Sequence, residues 1–252
     1  MKVYIVTHKN YNFPQNEIYC PIQVNAGENA NLDIKIKDNI GENISNKNKN
    51  FCELTALYWI WKNSKEDIIG LVHYRRYFYR NTISKNYKNI LGKKDIDNIL
   101  KEYDIILPKK YYLYKNTVEQ QYGSIHNAGD MLVCKEIIKE KYPQYIESFN
   151  RVMSQHYFFP YNMFIAKKEI IDKYCEWLFD ILFELERKIC IKEYDKYNQR
   201  VFGFMSERLF NVWLDKNKLR IKEIQVNNTE DNNIKESLKN MIKKFLFIFN
   251  IK

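Results

Sequence analysis

Short apolar runs rich in β-branched residues recur along this chain, separated by segments with helical spacing. "KVYIVT" (Lys2–Thr7), "IIGLV" (Ile68–Val72), "DIIL" (Asp104–Leu107), "NMFIA" (Asn162–Ala166) and a last run near Ile221–Val226 read as strands. Between them, Leu54, Leu57, Tyr58 and Trp61 share one helical face. Helices are also predicted from Asp95 to about Glu102, over Met131–Arg151 with a break at Pro143, over Lys168–Lys188, and through "VFGFMSERLFNVWLDKN". Strands alternating with helices predict an α/β fold with a mostly parallel sheet. A length of 252 residues, 45% of them hydrophobic, is enough for one large core, assigned to residues 1–226. The polar stretch Asn25–Asn50 reads as a long loop, with Ser45 or Asn50 as the cap of the helix after it. Residues 227–252 read as a polar linker and then a basic amphipathic helix, Ile234–Lys252, of the kind that lies on an anionic membrane surface.

The chemistry gathers where strands stop. Ligands of open α/β sheets collect at the carboxyl ends of strands. The first strand ends in Thr7-His8-Lys9, and Ile68–Val72 runs straight into His73-Tyr74-Arg75-Arg76. Arginine presents a planar, permanently charged fork to phosphate. Two adjacent arginines after a strand point to opposite sides, so at most one is expected to face a ligand directly. A divalent ion, Mn²⁺ or Mg²⁺, would need Asp-x-Asp at a strand end. The one such pair, Asp95-Ile96-Asp97, lies at a predicted helix start, where aspartate caps and complements the dipole, so no metal ligand is assigned. His126 and Asp130, in the polar stretch "SIHNAGD", and Glu207, expected at a helix start behind a capping Ser206, are the candidates for acid–base work.

A formal net charge of +10 favours an anionic partner. Nucleic acid would satisfy it, but no recognition motif, basic stripe or zinc module supports that reading. A non-catalytic glycan-binding scaffold is the other alternative. Five scattered cysteines without a CxxC pair, no secretory h-region and no apolar run of membrane-spanning length point to a cytoplasmic setting.

Five ordered blocks carry a resemblance: "GENISNKNKNFCELTALYWIWKN", "IIGLVHYRRYF", "YDIILPKK", "YNMFIAKKEIIDKYCEWLFDILFELE" and "RVFGFMSERLFNVWL". Together they resemble a bacterial family of capsular and exopolysaccharide glycosyltransferases long catalogued only as a domain of unknown function. The likeness runs from about Lys2 to Val226. It implies a GT-A-like fold, a nucleotide-sugar donor, and a lipid-linked or oligosaccharide acceptor at the inner membrane surface. Some relatives are linked to galactofuranose transfer, which makes UDP-galactofuranose a candidate donor. Donor contacts are then expected from Thr7, His8, Lys9, Ser45, His73, Tyr74, Arg75 and Arg76, and an acceptor contact from Asn162. Glu207 is the first choice for the catalytic base, followed by Asp130 and His126. No nucleic acid is implied.

Overall fold

The computed structural model describes residues 1–28, 32–80 and 86–230. The amphipathic helix expected over Ile234–Lys252 lies outside the described residues. The strands are β1 Lys2–Thr7, β2 Tyr19–Gln23, β3 Ile36–Lys37, β4 Ile68–His73, β5 Arg76–Phe78, β6 Ile105–Pro108, β7 Tyr111–Tyr112, β8 Tyr157–Phe158, β9 Phe164–Lys167, β10 Ile221–Ile224 and β11 Val226–Asn228. The helices are α1 Asn48–Phe51, α2 Leu54–Asn63, α3 Lys93–Glu102, α4 Val118–Ile125, α5 Ala128–Lys141, α6 Ile146–Ser154, α7 Lys168–Lys188 and α8 Val201–Asn217.

Seven strands form the central path β10-β6-β9-β4-β1-β2-β3, with β5 folded back on β4 and β11 on β5. The pairs β1–β2, β1–β4, β2–β3 and β6–β10 are parallel, while β9 runs antiparallel to both β4 and β6. The sheet is therefore largely parallel, as expected, with one reversed strand in its middle. The linker expected from Asn227 instead begins in the sheet: Asn227 and Asn228 pair with Tyr77 and Arg76.

Both faces of the sheet are covered, which is why its inner strands read as continuous apolar runs rather than alternating ones. Along β1, Tyr4 and Val6 pack into one core cluster with the residues of α2, α5, α6, α7 and α8, whereas Val3 and Ile5 pack into a second with Tyr77, Phe78 and Ile96. Seven of the nine buried residues of α7, Ile171, Tyr174, Cys175, Leu178, Ile181, Leu182 and Leu185, follow helical spacing, and with Trp177 and Phe179 they hold this helix on the first cluster. At Gly70 the backbone of β4 comes so close to β9 that an added Cβ would stand 2.9 Å from Ile165 Cγ1 and 3.2 Å from the Phe164 carbonyl oxygen. That close approach draws β9, and with it the loop before it, onto β4.

Candidate active site

The chain leaves β1 towards β2 and β3 on one side, then crosses back to lay β4 on the other side of β1. The strand order reverses there, and the crevice outside the carboxyl ends of such strands is where α/β sheets bind ligands. A cleft of about 980 Å³ occupies that position, lined by Thr7 and His8 at the end of β1, Val24 after β2, and His73, Tyr74, Arg75 and Arg76 from the end of β4 to the start of β5. Cys52, Glu53, Tyr161, Arg200, Phe204 and Glu207 close its far wall. The volume suits a ligand of nucleotide size.

Both arginines line the cleft. The strand alternation expected beyond His73 does not apply, because the chain turns at Tyr74–Arg75 and His73 pairs with Arg76 across the turn. Arg75 donates from Nη1 to Glu230 Oε2 at 2.9 Å. The Arg76 guanidinium stacks 4.6 Å from the Tyr161 ring centre and, among the described residues, makes no ion pair. Lys9, expected at the site, does not line the cleft; its Nζ lies 4.8 Å over the Tyr74 ring and 3.5 Å from Glu230. His8 meets the same ring edge-on, and Thr7 Oγ1 donates to the Lys9 carbonyl oxygen.

His73 is not one of the cations. Its Nε2–H donates to the Tyr161 carbonyl oxygen at 2.8 Å, and burial pushes its pKa from 6.5 down to about 4, with the charges of Arg76 and Arg75 adding to the shift and the Tyr161 bond and Glu207 opposing it. A depressed histidine contributes stability above its unfolded pKa and loses it as pH falls towards the folded value. Between pH 6.5 and about 4 this group alone is expected to remove on the order of 3 kcal/mol. Glu53 and Glu207, whose carboxyls are raised, act with the opposite sign: their contribution is complete at low pH and is lost as pH rises. The His73 share is thus read as a difference. The gap in unfolding free energy between wild type and His73→Gln, from urea titrations at pH 7 and pH 4.5, should narrow on acidification; a constant gap would show that folding does not lower the His73 pKa.

The floor of the cleft is a left-handed turn between β8 and β9. Tyr161 and Asn162 have φ of 76° and 52°, conformations that non-glycine residues hold only when their surroundings fix them. Two carboxylates fix them here. Glu207 Oε1 accepts from the Tyr161 backbone N–H at 2.8 Å, and Glu53 Oε1 accepts from Asn162 Nδ2 at 2.7 Å. The Asn162 amide also donates to Ser206 Oγ at 2.8 Å, while that hydroxyl donates to the Gly203 carbonyl oxygen. Glu207 Oε2 pairs with Arg208 Nη1 at 3.0 Å, and the Arg208 side chain is only 3% exposed. Burial raises the pKa of Glu207, with the charge of Glu53 adding to it and that of Arg208 opposing it. Burial likewise raises Glu53, against the pull of Asn162, Arg200 and Arg76.

Several expected residues sit elsewhere than the sequence suggests. Glu207 is not at a helix start: α8 begins at Val201, and Ser206 bonds within the helix instead of capping it. The true N-cap, Arg200, makes no side-chain cap, so the sequence carries no signal there. Asn162 is 3% exposed and lies beneath the cleft, holding Glu53 rather than lining the space. Ser45 donates to Asp38 Oδ1, a buried carboxylate that also accepts from Thr55 and from the backbone of Asn25 and Ala26; this is a structural knot, not cleft wall. His126 ends α4, and its ring stacks 4.1 Å from the ring of Phe204, one layer behind the cleft. Asp130 is not in a loop but in the first turn of α5, buried, and it accepts from the Tyr194 hydroxyl.

Glu53 and Arg200 are the residues that sequence reasoning missed. Cys52, at φ 52°, turns the chain from α1 into α2 and presents Glu53 to the cleft. From sequence alone, a glutamate before an apolar helical face reads as an N-terminal carboxylate and nothing more. For a divalent ion the described residues offer no group of three or more His, Cys, Asp or Glu side chains. Asp95 caps α3, accepting from the Gly92 N–H at 2.8 Å and from Arg80. No helix among the described residues is long and apolar enough to cross a membrane.

Fold and site together define an α/β protein with a switch-point cleft that sets arginines against carboxylates. The chain belongs to the family described as "Domain of unknown function (DUF4422)", which matches residues 2–218. It is similar to the apo structure of WbbM, a bifunctional glycosyltransferase, with 31% identity and a TM-score of 0.85 over 91% of this chain. The chain spans 45% of that protein's length. No curated protein matches it.

Proposed function

We propose that this chain is a glycosyltransferase that moves a sugar from a nucleotide-sugar to a glycan. The supporting observation is the pairing, in one cleft at the switch point, of arginines at the end of β4 with the half-buried carboxylates of Glu53 and Glu207; the likeness to WbbM agrees with it. The donor diphosphate lies at the ends of β1 and β4, against Arg75 and Arg76, with Thr7, His8, Lys9 and Tyr74 beside it. When the glycosidic bond breaks, negative charge grows on the departing nucleoside diphosphate, and fixed guanidinium groups facing that point stabilise it without reorganising. A carboxylate on the floor takes the acceptor proton. Neutral His73 helps by holding the Tyr161 carbonyl, not by charge.

The proposed donor is a UDP-sugar, with UDP-galactofuranose the first to try. The proposed acceptor is a lipid-linked or oligosaccharide glycan of capsule, lipopolysaccharide or exopolysaccharide assembly, which sets the work on the cytoplasmic face of the inner membrane. Thermal unfolding in the presence of a nucleotide-sugar panel tests the donor class. A true donor at a hundred times its Kd adds about 2.7 kcal/mol of stability, a rise of roughly 5–10 °C for a chain of this size. If no nucleotide-sugar and no free nucleoside diphosphate raises the melting temperature, the reading falls.

A further inference from the structure

We propose that Glu53, rather than Glu207, is the general base that takes the proton of the acceptor hydroxyl, and that Glu207 is the positioning residue that fixes the floor beneath it. This assignment presupposes the glycosyl transfer proposed above. Both carboxylates face the cleft, and they differ in what their oxygens already do. Glu207 has both engaged, Oε1 by the Tyr161 N–H and Oε2 by the Arg208 guanidinium. A proton arriving there would break the pair that compensates Arg208, which is 3% exposed, and a buried charge left without its partner is strongly destabilising. Among the described residues Glu53 accepts from neutral donors, the Asn162 amide at Oε1 and its own backbone N–H, and makes no ion pair, so a proton arriving there leaves no buried charge without its partner.

The surroundings suit that role. Glu53 is faced by Arg76 and Arg200, whose charges favour its ionised form, by Glu207, whose charge opposes it, and by the Cys52 thiol. Burial outweighs the arginines and raises its pKa, which makes its carboxylate a stronger base than a surface glutamate. The Asn162 amide, itself held by Ser206, fixes Glu53 Oε1 and so fixes where Oε2 points.

In the step, the acceptor oxygen forms a bond to the anomeric carbon of the donor sugar. The bond from that carbon to the β-phosphate oxygen breaks, and its electron pair leaves with the nucleoside diphosphate against Arg75 and Arg76. The acceptor proton passes to Glu53 Oε2. Water in the acceptor position gives the same balance and releases free sugar, so donor hydrolysis reports on the same base.

The experiment uses the full chain, UDP as binding probe, and a panel of UDP-sugars including UDP-galactofuranose, with UDP release as the measure of turnover. Glu53→Gln is expected to keep the melting temperature, to bind UDP within about threefold of wild type, and to lose turnover by on the order of a hundredfold or more. The acid limb of the kcat/KM profile, present in wild type above the ordinary carboxylate range, should vanish in Glu53→Gln and survive in Glu207→Gln. Glu207→Gln should instead lower the melting temperature, because its amide would set a donor against the Arg208 guanidinium. If Glu53→Gln does not fold, Glu53→Asp decides: it keeps the charge but withdraws the oxygen, and it should bind UDP normally with turnover cut at least tenfold. Turnover near wild type in a folded Glu53→Gln or Glu53→Asp overturns the assignment. A wild-type chain that binds UDP yet releases none from any donor overturns the transfer reading itself, a failure visible without any variant.

Discussion

Arg76→Lys is expected to weaken UDP binding by about ten- to a hundredfold. A hydrogen bond to a charged group contributes about 1.5–3 kcal/mol, and each 1.4 kcal/mol is a factor of ten in Kd. Lysine keeps the charge but not the fork, so the second donor to a phosphate oxygen is lost. Arg76 should matter more than Arg75. The Arg75 guanidinium is shared with Glu230, and donor binding must compete with that exposed carboxylate. Arg76 has no ion-pair partner among the described residues, and its guanidinium carbon rests 4.6 Å over the Tyr161 ring centre. It is therefore set in place before any ligand arrives, and little ordering is lost on binding. Calorimetric titration of UDP into wild type, Arg75→Lys and Arg76→Lys at one salt concentration checks the order. Affinity within twofold of wild type in both variants would remove the diphosphate from the end of β4.

How much of this was legible beforehand differs from element to element. The strand Lys2–Thr7 and the helix Lys168–Lys188 occur with the limits the sequence predicts, because the first is one unbroken β-rich run closed by a polar loop and the second keeps its apolar spacing to its end. The strand β2 was not legible because Pro21 sits inside it. The proline is tolerated because β3 pairs only with Ile22 and Gln23, so at Pro21 the strand is an edge and needs no N–H on that side. The helix α4 was missed although Thr117 and Gln120 form a capping box; only Val118 and Tyr122 of it are buried, too few to show a stripe. The reversed direction of β9 has no local signature at all, since it follows from packing between β4 and β6. The site divides in the same way. Its pair Arg75 and Arg76 is one continuous stretch at a strand end, so for them position in the sequence and position in space coincide. Its floor joins Glu53 to Asn162 across 109 residues and Tyr161 to Glu207 across 46, contacts that exist only once the sheet is closed.

Glu207→Leu is expected to be among the most destabilising single changes in the chain, at about 3–5 kcal/mol, or a fall in melting temperature on the order of 10 °C. The carboxylate is the nearest counter-charge to Arg208, whose guanidinium is packed over the rings of Tyr122 and Phe158 with Nη2 held by Gln121. Burial already lowers the pKa of that guanidinium, and its Nε is buried without a partner. Removing the carboxylate leaves the charge where water does not reach it, and also frees the Tyr161 N–H that holds the left-handed turn. The first of these losses is the larger, and a double-variant cycle separates them. Glu207→Leu with Arg208→Met removes the orphaned charge but not the loosened turn, so it should recover most of the lost stability while UDP binding stays impaired through Tyr161 and Arg76. If Glu207→Leu melts within about 2 °C of wild type, or if the double variant is no more stable than the single one, the buried pair is not what holds the floor of the cleft.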